Sequence, residues 1–254
     1  MDPALGVPVI KRILGYIDEG TTAMAERPWK NDVSAYCSAE HLAAETRILF
    51  RKRPLLMGLS CDWPKPGDWR TDDLAGVPIL IARDRDGALR AFLNVCRHRG
   101  AKVADGCGHG RVFSCPYHAW TYGLDGKLRG VPDERSFEGV RAERPGLTPL
   151  PLAERYGLVW VLPSPAEDGR TDLDIDCWLG GLGAELGSYR AQDYHLYDKR
   201  LVPETMNWKL LVDTFHESYH VGFLHKTSLT SILLSKVSDF EAFGDNHRLV
   251  FPRK

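Results

Sequence analysis

The sequence predicts an α+β fold, an antiparallel β domain set between helical segments, and three observations lead there. Between Val77 and about Pro163, short β-branched and aromatic runs are broken by turn signals such as Asp86-Gly87 and Asp125-Gly126. Upstream, "CSAEHLAAETRILF" places Ser38 to cap a helix whose Leu42, Ile48 and Leu49 recur at roughly helical spacing. Downstream, "NWKLLVDTFHESYHVGFLH" is largely apolar, with Leu211, Phe215 and Tyr219 among its bulky residues, and reads as one helix.

Taken in order, the opening "MDPALGVPVIKRILGYIDEG" interrupts its apolar letters with Pro8, Lys11 and Arg12, so it offers neither a secretory h-region nor a membrane span. The expected location is cytoplasmic. The helix behind Ser38 is expected to open the fold. "VPILIA", "ALRAFLNV", "RVFS" and "YGLVWVLP" then supply strands, and "PSPAEDGRTDLD" reads as a linker. This gives a helical segment over residues 1–54, a β domain over 55–165 and a second domain over 172–254. The 254 residues, 43% of them hydrophobic, can bury a core in each. A formal charge of -1 without a dense basic block leaves no electrostatic footprint for nucleic acid or an anionic membrane. Six cysteines are too few for a disulfide scaffold, and thiols beside histidines point to metal binding.

Four metal-type residues stand on two loops: Cys96-x-His98 in "NVCRHRGA" and Cys115-x-x-His118 in "FSCPYHAW". Zinc sites more often take cysteines in pairs and histidines in pairs, whereas each loop here mixes them. A Rieske [2Fe–2S] centre requires that mixing, because two thiolates hold one iron and two imidazoles the other. Gly100 and Pro116 suit tight loops around such a cluster. Cys37, Cys61, Cys107, Cys177 and His109 lie outside the pattern and read as structural or incidental.

"HESYH", residues 216–220, fits the zinc-peptidase pattern H-E-x-x-H, with His216 and His220 as ligands and Glu217 as general base. The extended pattern fails, since Gly222 and His225 each come one position early, although Glu241 lies where other zinc peptidases place a carboxylate. A second grouping uses Glu217 with His220 at i,i+3 and His220 with His225 at i,i+5. The last two lie about 140° apart on an ideal helix, so they meet at one metal only where the helix distorts or ends, for which Gly222 is a plausible place.

The two loops, followed by Ala119-Trp120-Thr121-Tyr122 and the Asp125-Gly126 turn, resemble the Rieske domain of the ring-hydroxylating and related Rieske non-haem iron oxygenases, over roughly residues 35–165. Respiratory Rieske proteins have an extra cysteine in each loop; here Ala101 follows Gly100, and Tyr117 separates Cys115 from His118. The segment around Asn207-Trp208-Lys209 resembles the same family's catalytic helix. The resemblance implies a catalytic domain of helix-grip (START-like) fold, of which this chain holds the beginning. It also implies a mononuclear Fe(II) held by His220 and His225, with Glu217 linking His220 to the cluster ligand His118 of a neighbouring subunit. His216 is then a non-ligand. Asp213 supports the site, with Thr214 where the family has asparagine. The family's third iron ligand comes from far downstream, whereas only Asp239, Glu241 and Asp245 follow His225 as acids. A C-terminally truncated chain unable to turn over alone is therefore expected.

Functionally, the resemblance implies an oxygenase α subunit, a homo-oligomer (a trimer in the family), fed electrons by a ferredoxin or flavin reductase. It would use O2 to hydroxylate, dihydroxylate or demethylate an organic substrate, with an aromatic compound and dioxygenase chemistry in aromatic hydrocarbon catabolism as the expectation. A stand-alone Rieske electron carrier and a zinc peptidase remain the alternatives.

Overall fold

The computed structural model describes residues 2–144 and 146–254, which gather into two compact units. One comprises Ala43–Ile175 with Ala191–Tyr197; the other comprises the residues up to Leu42, Asp176–Arg190 and Asp198–Lys254.

The first helix is α1 (Pro3–Asp18), earlier than the sequence reading placed it. Asp2 caps it by accepting from the Ala4 N–H at 2.8 Å, and Pro3 sits in the first turn, where a missing donor costs nothing. Pro8 lies inside the helix without ending it. Ser38 does act as a cap: after α2 (Ser34–Cys37), its hydroxyl accepts from His41 N–H at 3.2 Å at the start of α3 (Ala39–Glu45), which continues as a π-helical turn over Thr46–Phe50.

The strands of the larger unit are β1 (Leu55–Leu59), β2 (Asp68–Asp72), β3 (Ile79–Arg83), β4 (Leu89–Leu93), β5 (Cys107–His109), β6 (Val112–Ser114), β7 (Thr121–Gly123), β8 (Leu128–Gly130), β9 (Pro149–Leu150), β10 (Leu152–Arg155) and β11 (Leu158–Val161). A short helix, α4 (Val140–Glu143), separates β8 from β9. The sheets run β1-β11-β10, β5-β2-β3-β4-β9 and β6-β7-β8, with every neighbouring pair antiparallel. This is the α+β, antiparallel architecture that the turn-punctuated sequence predicts.

Strand β3 explains how the unit holds together. Side chains alternate faces along a strand. Ile79 and Ile81 join one core with Met57, Trp63, Leu150, Val159 and Val161, while Leu80 and Ala82 join another with Phe92, Phe113, Trp120 and Tyr122. Both faces are buried, which is why this strand reads as a continuous apolar run rather than an alternating one. The second of these cores also contains Cys96 and Cys115.

In the other unit, α5 (Ile175–Leu179) leads into α6 (Leu182–Ser188), α7 (Trp208–Phe215) and a hairpin of β12 (Asp239–Phe243) and β13 (Asn246–Val250). Ion pairs tie the hairpin to the helices. Arg12 of α1 donates to both carboxylate oxygens of Asp239 at 2.9 and 2.8 Å and to Glu241 at 2.8 Å, and Arg248 of β13 bonds Glu185 of α6 and Glu241. Asp239 is only 1% exposed, so removing Arg12 would leave a buried carboxylate with Arg248, at 3.9 Å, as its remaining ion-pair partner.

Candidate metal centres

The two Cys/His loops close in the same way. In each, the cysteine N–H donates to the carbonyl five residues on, Cys96 to Ala101 at 2.8 Å and Cys115 to Trp120 at 2.9 Å. The N–H four residues on donates back to the cysteine carbonyl, from Gly100 at 2.9 Å and from Ala119 at 2.8 Å. That ring needs a left-handed residue at the fourth position, and Gly100 (φ +80°) and Ala119 (φ +55°) both adopt it. The two thiols are thereby turned inward, each 3% exposed.

The histidines complete the set. The rings of His98 and His118 lie 4.6 Å apart; His98 stacks on Trp120 at 4.9 Å, and His118 on Tyr117 at 4.0 Å. Nδ1 of His98 is buried with no hydrogen-bond partner in the chain. Burial, then repulsion from His118, Arg99 and Arg144, lowers the pKa of His98, so its ring stays neutral with a lone pair to give. Two buried thiols, two imidazoles and an orphaned ring nitrogen are the donor set of a [2Fe–2S] cluster of Rieske type, and the residues fit that group.

The second grouping does not lie on one helix. Asn207 caps α7 by accepting from Lys209 N–H at 3.0 Å, and the helix ends at Phe215, ten residues before His225. The chain then turns through His216–Ser218 into a 3-10 turn over Tyr219–Gly222. The expected break thus comes before Gly222. Glu217 fixes the turn that follows, for its carboxylate accepts from the His220 N–H at 3.0 Å and bonds His220 Nδ1. The turn brings the His220 and His225 rings to 5.4 Å. With Nδ1 of His220 engaged, its Nε2 is the ring nitrogen left for a metal. Burial raises the Glu217 pKa, but the His220 bonds outweigh it and hold the carboxylate below its usual range.

His216 faces elsewhere: its Nε2 lies 2.9 Å from Nε2 of His247. The zinc-peptidase reading needs His216 and His220 on one continuous helical face, and the end of α7 between them removes it. Asp213 receives the Tyr36 hydroxyl at 2.7 Å. Asp239 and Glu241 are held by Arg12 and Arg248, and Asp245 sits in the β12–β13 turn. Among the described residues, no three His, Cys, Asp or Glu side chains are gathered around a single ion position.

Family models agree with this order of sites: the Rieske [2Fe-2S] domain matches residues 54–150, and the ring hydroxylating alpha subunit (catalytic domain) matches residues 184–253. The chain belongs to the Rieske oxygenase α-subunit family. It is 29% identical to the carnitine monooxygenase oxygenase subunit of Acinetobacter baumannii, over 87% of this chain and 59% of that protein. With the glycine betaine monooxygenase oxygenase subunit of Chromohalobacter salexigens it shares 30% identity, over 82% of this chain and 44% of that one. A quaternary ammonium Rieske monooxygenase, whose structure bears on carnitine oxidation by gut microbiota and inter-subunit electron transfer, superimposes with a TM-score of 0.74 at 28% identity, covering 83% of this chain and 57% of that one. The chain spans about half the length of the curated relatives it matches.

As a Rieske α-subunit chain it carries the family's two cofactor types, one [2Fe–2S] cluster and one mononuclear iron. The expectation of an aromatic substrate and dioxygenase chemistry finds no support in these relatives, which are monooxygenases of quaternary ammonium compounds. Several side-chain roles at the cluster site, including that of Tyr122 in the quoted motif, were not read from the sequence. Asn94, buried at the root of the first loop, accepts from the Val103 and Ala104 N–H groups at 3.0 and 3.2 Å and donates to the Ala104 carbonyl at 2.8 Å, pinning the loop's far end. Arg144 donates to the Arg97 carbonyl at 2.8 Å. The Tyr122 hydroxyl lies 3.3 Å from Sγ of Cys96 and accepts from the Arg97 N–H at 3.0 Å; burial, then the Cys96 contact, raises its pKa. An asparagine directly before Val95-Cys96 was the one available signal.

Proposed function

We propose that this chain is the oxygenase component of a Rieske monooxygenase acting on a small quaternary ammonium compound. Electrons would come from a ferredoxin or flavin reductase, and O2 is the co-substrate. The single observation that carries the reading is the Glu217–His220 contact beside His225, in a chain that also holds the four cluster donors. Bound to their sites, the cluster supplies single electrons and the iron activates O2.

The chain's own residues do the rest. Cys96, His98, Cys115 and His118 hold the cluster, and Trp120 with Phe137 shields the His98 ring, at 4.9 and 5.7 Å. His220 and His225 hold the iron. Glu217 orients the His220 ring and, in a homo-oligomer, reaches His118 of the neighbouring subunit; its lowered pKa keeps it ionised for that task. Asp213 fixes the Tyr36 hydroxyl and so steadies α7 from the side. Arg12 and Arg248 engage Asp239 and Glu241, which leaves neither free as the third iron ligand. Among the described residues no helix is long and apolar enough to cross a membrane.

The test measures ferrous iron bound by the full chain. His225→Ala should lose iron while His216→Ala keeps it; loss in the His216 variant alone reverses the assignment. In a protein with a complete set of iron ligands, supplied with a reductase system, oxygen uptake should rise with trimethylammonium compounds, and a response confined to aromatic hydrocarbons overturns the substrate class. Glu217→Gln should leave cluster reduction intact and stop uptake.

A further inference from the structure

The iron pair leaves His216 and His247 unexplained. His216 follows the last residue of α7, and His247 stands on β13, opposite Ala242 of β12. Their Nε2 atoms are 2.9 Å apart, with the rings 4.4 Å apart and inclined by 75°. Phe240 stacks on His247 at 5.5 Å from the diagonal position of the hairpin, which fixes that ring. Partial burial, then the neighbouring His216, lowers the His247 pKa, so the ring presents a neutral nitrogen at neutral pH.

A shared hydrogen between two neutral rings accounts for 2.9 Å, but so does a chelate. With metal–nitrogen bonds of about 2.0–2.1 Å, a 2.9 Å separation subtends about 90° at the ion. That is the angle between adjacent ligands in octahedral and square-planar sites, and a tetrahedral ion would need only about half an ångström more. Proton balance is simple: the ring donating through Nε2 moves its hydrogen to Nδ1, and no proton is lost. Both rings are exposed, so water can fill the remaining positions.

We propose that His216 and His247 form a two-imidazole surface site for an imidazole-preferring divalent cation such as Ni2+ or Zn2+, separate from the His220–His225 iron pair. A cation bound there ties the end of α7 to the β12–β13 hairpin, next to Glu217. The occupant follows from the donors, since two imidazoles without a carboxylate disfavour magnesium and calcium.

The experiment titrates the cluster-bearing full chain with Ni2+ alone, by calorimetry and by thermal melting. The unmodified chain should bind one equivalent that His216→Gln and His247→Gln each weaken by more than about tenfold and that His220→Gln leaves in place. Its melting temperature should rise with Ni2+, and that rise should vanish in both variants. The cluster's visible spectrum reports that each variant is folded. In the unmodified chain, Ni2+ should also protect His216 and His247 from diethyl pyrocarbonate, read by mass spectrometry. Unchanged affinity in both variants, or loss only in His220→Gln, overturns the site and assigns the pair to a hydrogen bond.

Discussion

The two candidate centres are held by different physics. Around the cluster loops, Trp120 is 1% exposed and Tyr122 wholly buried, in the same core as both thiols. Around the iron pair, Phe215, Tyr219, Phe223 and Leu224 are 67–75% exposed, and the ligands hang on an eight-residue helix, a 3-10 turn and one carboxylate. Packing enforces the first geometry, whereas local hydrogen bonds set the second, which therefore sits at the low-stability end of the molecule. A site fixed by its core should fail all at once when that core is cut. A site fixed by its turn should lose metal without unfolding.

The largest expected effect breaks that contrast if it is wrong. Cys115→Ser should abolish the visible and EPR signature of the cluster and lower stability by several kcal/mol, because metal binding at a buried site is folding free energy. His220→Ala should leave both unchanged and release only the mononuclear iron. Equal damage to the fold from the two variants would erase the distinction. Next in size, Trp120→Ala should cost about 3–5 kcal/mol in denaturant unfolding, whereas Phe223→Ala should stay within about 0.5 kcal/mol.

The same contrast governs what the sequence could reveal. The four candidate cluster donors stood out because that chemistry calls for those residue types at those spacings, and the strands were legible because β3 and its neighbours are apolar runs between turns. Helix α1 falls in the segment read as helical but was not placed within it, although Asp2 and Pro3 carry its start signals; Pro8, Lys11 and Arg12 excluded only a membrane span there. The downstream segment read as one helix because its apolar letters continue past Phe215. Beyond Phe215 the Glu217 carboxylate takes the His220 N–H and sets a separate turn, through a side-chain bond that apolar periodicity does not encode. The roles of Asn94 and Arg144 were not legible for a related reason: their partners are backbone groups that approach them only in the folded chain.

A smaller effect sharpens the description of the buried centre. The Tyr122 hydroxyl, 3.3 Å from Sγ of Cys96, can donate to a ligand sulfur and so favours the more negative, reduced cluster. Tyr122→Phe removes about 1 kcal/mol of that preference. For a one-electron couple, a tenfold change is about 59 mV, so the potential should fall by several tens of millivolts in protein-film voltammetry. A rise, or no change, would mean that the hydroxyl donates elsewhere.

The smallest expected effect tests whether the two cluster loops are as alike as their hydrogen bonds suggest. Both place a left-handed residue four positions after the cysteine, but the first loop uses Gly100 and the second Ala119. For an L-residue that conformation costs about 1–2 kcal/mol, a strain that glycine does not carry. A Cβ at Gly100 would meet no atom within 4 Å, so Gly100→Ala tests the backbone cost with no steric clash added. It should destabilise the protein by about 1 kcal/mol. Ala119→Gly should act in the opposite direction, relieving strain but losing about 0.4–1 kcal/mol through the more flexible unfolded chain, for a net gain of under about 1 kcal/mol. Denaturant unfolding of the two single variants and the double variant resolves the signs. Opposite signs that add in the double variant mean that the loops are independent copies of one device; destabilisation by Ala119→Gly means that the Ala119 methyl group packs usefully in the second loop and that the likeness ends at the backbone.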